Sequence, residues 1–399
     1  MTAVQDAPSA ELIISADDHV IEPPDLWQSR LPAHLRDRGP RVVPHPSDGA
    51  RMERGVWHLE PGGVGPAAAF WHYEDLVKPL CSNEAAAGLA EDEVETTPIG
   101  FDGIRPGCWQ PAARLADMDV NGIAASLCFP NYPRFAGQMF SESHDLELGL
   151  ACIRAYNDWM VEEWCAGSRG RLIPLCIVPL WDAELAAAEV RRNASRGVRA
   201  VAFTELPAWL GAPSIHTGFW DPFFTACSDT GTVVSIHIGS GSRVVRSSDD
   251  APRSVAGVTI FANSAMSMLD YLCGGVLERF EDLRLLYAES QIGWIPYVLE
   301  RADDMFAHQR FTFPTAVTKR PSEIYRGRVF SCFFSDQVGV DLIDRIGEDQ
   351  VLFETDYPHA SGTWPRTADV VAKELGGLDP SVRRKVLAEN AIRLFGLSF

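Results

Sequence analysis

The chain is poor in several things, and each shortage excludes a class of function. Its nine cysteines are an odd number and include no Cys-x-x-Cys pair, so cysteine-based zinc chemistry is not expected and the thiols read as reduced and mostly buried. Basic residues are outnumbered, 35 against 54 acidic, for a net charge of −19. That balance argues against a nucleic-acid backbone or an anionic membrane surface as partner and leaves a small molecule. No apolar run approaches the roughly 20 residues of a membrane span. Asp6 and Glu11 stand where a secretory leader needs a basic start and an apolar core, so the expected compartment is the cytoplasm. No Gly-x-Gly-x-x-Gly follows the first strand candidate, and Gly239-x-Gly241 lacks a third glycine, which weakens a dinucleotide or phosphate-loop reading.

What is present is an ordinary globular composition, 46% apolar over 399 residues, within the size range of one α/β barrel with insertions. The organising stretch is Ser15-Ala16-Asp17-Asp18-His19-Val20-Ile21-Glu22. It follows Leu12-Ile13-Ile14, an apolar run that predicts a buried strand over about 12–18. Alternation along a strand puts Asp17 and His19 on one face and Asp18 on the other. A carboxylate and an imidazole at i and i+2 are two ready metal ligands.

From residue 112 onward apolar runs alternate with helical patterns. Strands are predicted at Ile123–Phe129, Leu172–Leu180, Arg199–Phe203, Val233–Ile238, Leu283–Ala288, Val329–Phe334 and Val351–Glu354. With the first, these make eight βα units, hence a parallel sheet and, if it closes, an α/β (β/α)8 TIM barrel as a single domain over 1–399; an open doubly wound sheet is the alternative. Residues 1–11 read as a loose tail. The stretch of about 40–110 breaks the rhythm, with frequent Gly, Pro and acidic residues around Trp57, Phe70, Trp71, Tyr73, Phe101 and Trp109. It is expected to be an insertion folding over the site as a lid, the alternative being a surface excursion with its own apolar cluster. The Gly/Ser stretch from Gly239 opens a second long excursion.

In such barrels the chemistry sits at the C-terminal strand ends. Those ends carry Asp17 and His19, His237, Glu289 and Asp356, and together they form a candidate metal-ligand set. Asp17-Asp18-His19, His237 and Thr355-Asp356-Tyr357-Pro358-His359 resemble the amidohydrolase superfamily. Within it they are similar to the amidohydrolase-2 branch, the aminocarboxymuconate-semialdehyde decarboxylase-like enzymes, as is the ending Leu387-Ala388-Glu389-Asn390-Ala391-Ile392-Arg393-Leu394-Phe395-Gly396. The resemblance implies His-x-His on strand one, His on strand five, often His on strand six and Asp on strand eight. This chain departs twice, with Asp17 in place of the first His and Glu289 in place of the strand-six His. The extra oxygen donors favour manganese or iron(II) over zinc, and one or two divalent ions (Fe, Mn or Zn) are expected, with Glu289 bridging, in the second rank, or a base. A homodimer is a further implication.

The leading expectation is a metal-dependent hydrolase. Metal-activated water would cleave an ester, thioester or amide of a fairly large apolar substrate, with Asp356 or Glu289 taking the proton and His359 donating to the leaving group. The alternatives are non-oxidative decarboxylation of an aromatic or unsaturated acid, and a catalytically silent barrel that binds. Glu22 could orient a ligand, Trp364 could line a pocket, and Arg243 and Arg246 could hold an anion, each against a plain structural or solvated reading.

Overall fold

The computed structural model describes residues 11–53, 56–60, 62–94, 96–248 and 250–398. The loose tail expected at 1–11 lies, except for Glu11, outside the described residues. Eight short strand runs carry the fold: β1 (Ile13–Val20), β2 (Ile123–Pro130), β3 (Leu172–Ile173 and Leu175–Cys176), β4 (Ala200–Phe203), β5 (Val233–His237), β6 (Leu285–Ala288), β7 (Val329–Phe333) and β8 (Val351–Phe353). All the pairings among them are parallel, in the order β1-β2-β3 and, from the second half of β3, β4-β5-β6-β7-β8. Val, Ile, Leu and Ala dominate these runs, and every residue of β1 and of β4 to β8 is buried, as expected of strands covered on both faces.

The strand predicted over Leu172–Leu180 is cut to two pairs of residues. Pro174 between them has no N–H to give to a ladder. The first and last strands also meet. The Asp356 N–H donates to the Asp17 carbonyl at 3.0 Å, the His19 N–H to the Tyr357 carbonyl at 2.6 Å, and the Thr355 N–H to Ser15 Oγ at 2.8 Å. The architecture is TIM-barrel-like α/β.

The helices start where local chemistry says they should. Proline occupies the first turn of Pro111–Asn121, Asp221–Thr230 and Ile295–Gln309, where an N–H is not needed. Asp145 caps Leu146–Trp159 and Asp182 caps Ala183–Ala194, each accepting from two backbone N–H groups of the first turn. Among the described residues no helix is long and apolar enough to cross a membrane. All nine cysteines are free, seven of them buried.

The 40–110 stretch is more ordered than its composition suggested. Arg41–Pro46, Ala67–Tyr73 and Leu76–Pro79 form an antiparallel sheet, and Ala50–Glu53 pairs with Val56–Leu59. Its aromatics divide. Phe70, Trp71 and Tyr73 are buried, and Trp71 stacks on Tyr132 and meets Trp27 edge-on, with centroids at 4.6 and 5.2 Å. Trp57, Phe101 and Trp109 are only half-buried. A small second apolar cluster joins Ala69, Leu80, Ala85, Ala87, Ile104 and Cys108 of this stretch to Ile21 and Tyr357. The N–H groups of Ala86 and Ala87 donate to the Pro358 carbonyl, at 2.8 and 3.1 Å, tying the insertion to the loop after β8.

Candidate metal centre

The five strand-end residues singled out in the sequence gather around His19 and His237. His19 Nε2 and His237 Nε2 are 3.2 Å apart. His19 Nε2 lies 3.7 Å from Asp17 Oδ1 and 3.4 Å from Asp356 Oδ1, and His237 Nε2 lies 3.3 Å from Asp17 Oδ2 and 3.4 Å from Glu289 Oε2. Two ligand clusters overlap at His19: Asp17, His19 and His237, and His19, Glu289, Asp356 and His359. Asp18 faces the other way, where it accepts from Ser15 Oγ at 3.0 Å, Thr355 Oγ1 at 2.5 Å and the Tyr357 N–H at 2.9 Å, and also bonds Ser126. It joins β1 to β2 and to the segment after β8.

Glu289 and Asp356 sit at φ +54° and +53°, a left-handed conformation that non-glycine residues rarely adopt and that costs of order 1 kcal/mol each. Backbone hydrogen bonds hold both: Glu289 N–H to Glu354 Oε2 at 3.1 Å, and Asp356 N–H to the Asp17 carbonyl. These turns aim the carboxylates into the strand-end cup.

The donor set fits a divalent cation. Both oxygens of Asp17 are buried without a hydrogen bond, although buried polar atoms nearly always have one. Among the described residues no Lys or Arg is ion-paired with Asp17, Glu289 or Asp356. Burial, then the neighbouring Glu354, Asp356 and Glu289, pushes Asp17 well above the usual carboxylate range. Burial, then Asp356 and Glu354, does the same to Glu289. Burial alone would raise Asp356 too, but His359 and His19 hold it far below. Burial lowers His19 well below its usual value and takes His237 to about 4, so both imidazoles are neutral and free to ligate.

His359 stacks on His19 at 3.7 Å, and its Nδ1 lies 2.9 Å from Asp356 Oδ1. Burial would lower its pKa, yet the Asp356 charge raises it. His359 and Glu289 open onto a cavity of about 630 Å3, with Lys78, Glu84, Asn131 and Phe135 also on its wall. Phe135 stacks on His237 at 4.0 Å. A wall with Lys, Arg, Glu and His does not suit the large apolar substrate expected from the sequence.

The remaining candidates fall elsewhere. Glu22 accepts the N–H groups of Asn131 and Tyr132 at 3.0 and 2.8 Å, which fixes the loop after β2. Trp364 packs under the Arg105 guanidinium at 4.6 Å and lines a neighbouring cleft of about 460 Å3 that His359 also borders. Arg243 and Arg246 are exposed. Sequence reasoning missed Glu354, buried beneath the cluster. Its signal was the same i, i+2 alternation, which puts it on the face of Asp356. It also missed Lys78 and Asn131, for which no sequence signal existed, since the insertion brings Lys78 in.

The chain matches a family model described as amidohydrolase over residues 56–397. A gamma-resorcylate decarboxylase of Rhizobium sp. (strain MTP-10005) is 25% identical over 307 residues, covering 71% of this chain and 86% of that protein. Among solved structures, an amidohydrolase from Mycobacterium avium subsp. paratuberculosis K-10 aligns with a TM-score of 0.68 at 22% identity, covering 97% of this chain and 99% of that one. A 5-carboxyvanillate decarboxylase from Novosphingobium aromaticivorans DSM 12444, with bound manganese and 3-methoxy-4-hydroxy-5-nitrobenzoic acid, aligns at 0.59 and 20% identity, covering 71% and 80%. These relatives overturn the expectation of a hydrolase acting on an ester, thioester or amide: those with a named reaction are decarboxylases.

Proposed function

The chain belongs to the amidohydrolase family, and we propose that within it the protein is a metal-dependent, non-oxidative decarboxylase of an aromatic or unsaturated carboxylic acid. The likeness to decarboxylases carries the choice of reaction, and the buried carboxylate–imidazole floor, with no Lys or Arg partner among the described residues, opens through Glu289 and His359 onto the cavity.

Asp17, His19, His237 and Asp356 would hold a divalent ion, which when bound would supply positive charge to attract the substrate carboxylate. Phe135, stacked on His237, offers a face for the ring. Glu289, whose pKa burial and its acidic neighbours raise, is the group placed to deliver a proton to the carbon that bears the carboxylate. The bond to the carboxylate breaks, carbon dioxide leaves, the new C–H bond keeps the proton, and solvent reprotonates Glu289. His359 holds Asp356 through its Nδ1 and is a positioning residue.

We read the two sheets as one closed (β/α)8 barrel, supported by the Pro174 break and the β1–β8 hydrogen bonds. Residues 40–110 serve as the wall and lid of the cavity, since Lys78, Asn83 and Glu84 come from it. The test is a panel of ortho-hydroxylated aromatic acids, including gamma-resorcylate and 5-carboxyvanillate, given to manganese-loaded protein with carbon dioxide and product measured. Release from at least one acid is expected. A folded, metal-replete protein that releases none would overturn the proposal.

A further inference from the structure

A second group of buried ligand atoms lies one layer below the strand-end floor. Asp17 on β1, Cys332 on β7 and Glu354 just past β8 bring one carboxylate oxygen, a thiol sulfur and another carboxylate oxygen within 4.8 Å of one another, all fully buried. Alternation explains the layering. Glu354 precedes Asp356 by two residues on the same face, as Asp17 precedes His19. We propose that Asp17, Cys332 and Glu354 form a second divalent-metal site, for an ion that accepts a thiolate, such as zinc, iron(II) or cobalt(II), with Asp17 shared between the two layers.

Three observations point there. Glu354 Oε2 accepts the Glu289 N–H at 3.1 Å, but its Oε1 is fully buried and the carboxyl has no other side-chain partner than the Cys332 thiol beside it; both Asp17 oxygens are bare. A lone bare oxygen could be served by one ion above, whereas bare oxygens on two layers need a partner on each. The second is the crowding: the carboxyl groups of Asp17, Glu289, Glu354 and Asp356 lie together with no Lys or Arg paired to them among the described residues. The third is the sulfur. Among the described residues Cys332 is the only cysteine in such a cluster; its Sγ also meets the Tyr287 carbonyl at 3.6 Å and the Glu289 backbone N–H. A thiol beside two carboxylates, sealed from solvent, selects a softer ion than the oxygen-rich floor does. Binding would release the thiol proton to solvent. The bland alternative is a protonated Glu354 and an intact Cys332 thiol in contact, with no ion.

The test is spectroscopic and does not need turnover. Protein stripped by a chelator, its fold confirmed by circular dichroism, is titrated with cobalt(II), and bound cobalt is counted by elemental analysis. Two ions per chain and a near-ultraviolet thiolate-to-cobalt charge-transfer band are expected. Cys332→Ser should bind one ion and lose the band, and Glu354→Gln should weaken it. His237→Ala should lose an ion and keep the band, which separates the two layers. One cobalt per chain and no band in the wild type would overturn the proposal whatever the variants do, as would two ions retained in Cys332→Ser. Failure of the decarboxylase reading would show as absent carbon dioxide release with the cobalt count unchanged.

Discussion

The strand-end floor and the insertion that walls the cavity are built by opposite rules. The floor takes Asp17, His19, His237, Glu289 and Asp356 from four separate strands, buries most of them completely, and leaves key oxygens bare. The wall is irregular, with short antiparallel strands and half-exposed charges that are already paired, such as Lys78 with Asn131 at 3.0 Å and Glu84 at 3.3 Å. A bare buried group costs free energy in the fold and gives it back only when a ligand arrives. A paired surface charge costs little and contributes little. Chemistry is therefore expected from the floor, and selection from the wall.

Substitutions should separate the two regions. The largest effect is expected from His237→Ala, which removes a donor between Asp17 and Glu289: metal content should fall and decarboxylation should drop below detection with the fold intact by circular dichroism. Glu289→Gln keeps the shape and removes the proton, so kcat should fall about 10²–10⁴-fold with metal retained. Lys78→Met on the wall should raise KM about 10-fold and leave kcat nearly unchanged, the loss of one charged hydrogen bond. A kcat effect at Lys78 as large as that at Glu289 would erase the distinction.

The smallest effect concerns pH. Burial raises Glu22 from its ordinary 4.5 to about 7, against the N–H groups of Asn131 and Tyr132 that lower it. The folded chain therefore holds this proton more tightly than the unfolded chain does. The resulting stabilisation is complete below pH 4.5 and fades as pH rises to about 7. Glu22→Gln should flatten that part of the stability profile, measured by urea unfolding across the range.

The floor was legible in the sequence because a strand has a strict period of two and its end is marked by the first polar residue. Asp17, His19 and His237 lie at the ends of short apolar runs, Asp356 follows the run Val351–Glu354 by two residues, and Asp18 turns away as alternation requires. Glu289 needed the family pattern to stand out. Glu354 obeyed the same alternation but was hidden as the last residue of its run. The wall was not legible. Ala67–Tyr73 pairs with strands tens of residues away, and which side chain reaches the cavity depends on that packing, not on any local spacing. The reaction was not legible either. Activated water and a held carboxylate ask for the same ligands, so the choice between hydrolysis and decarboxylation came from relatives and not from the residues.

The most direct test of a proton-delivering floor is decarboxylation in D2O by manganese-loaded protein, with the product read by NMR. The account predicts one deuterium at the carbon that lost its carboxylate, formed at a rate that collapses in Glu289→Gln. Product formed at an undiminished rate by Glu289→Gln would contradict it, as would a metal-replete enzyme that hydrolyses esters and leaves aromatic acids untouched.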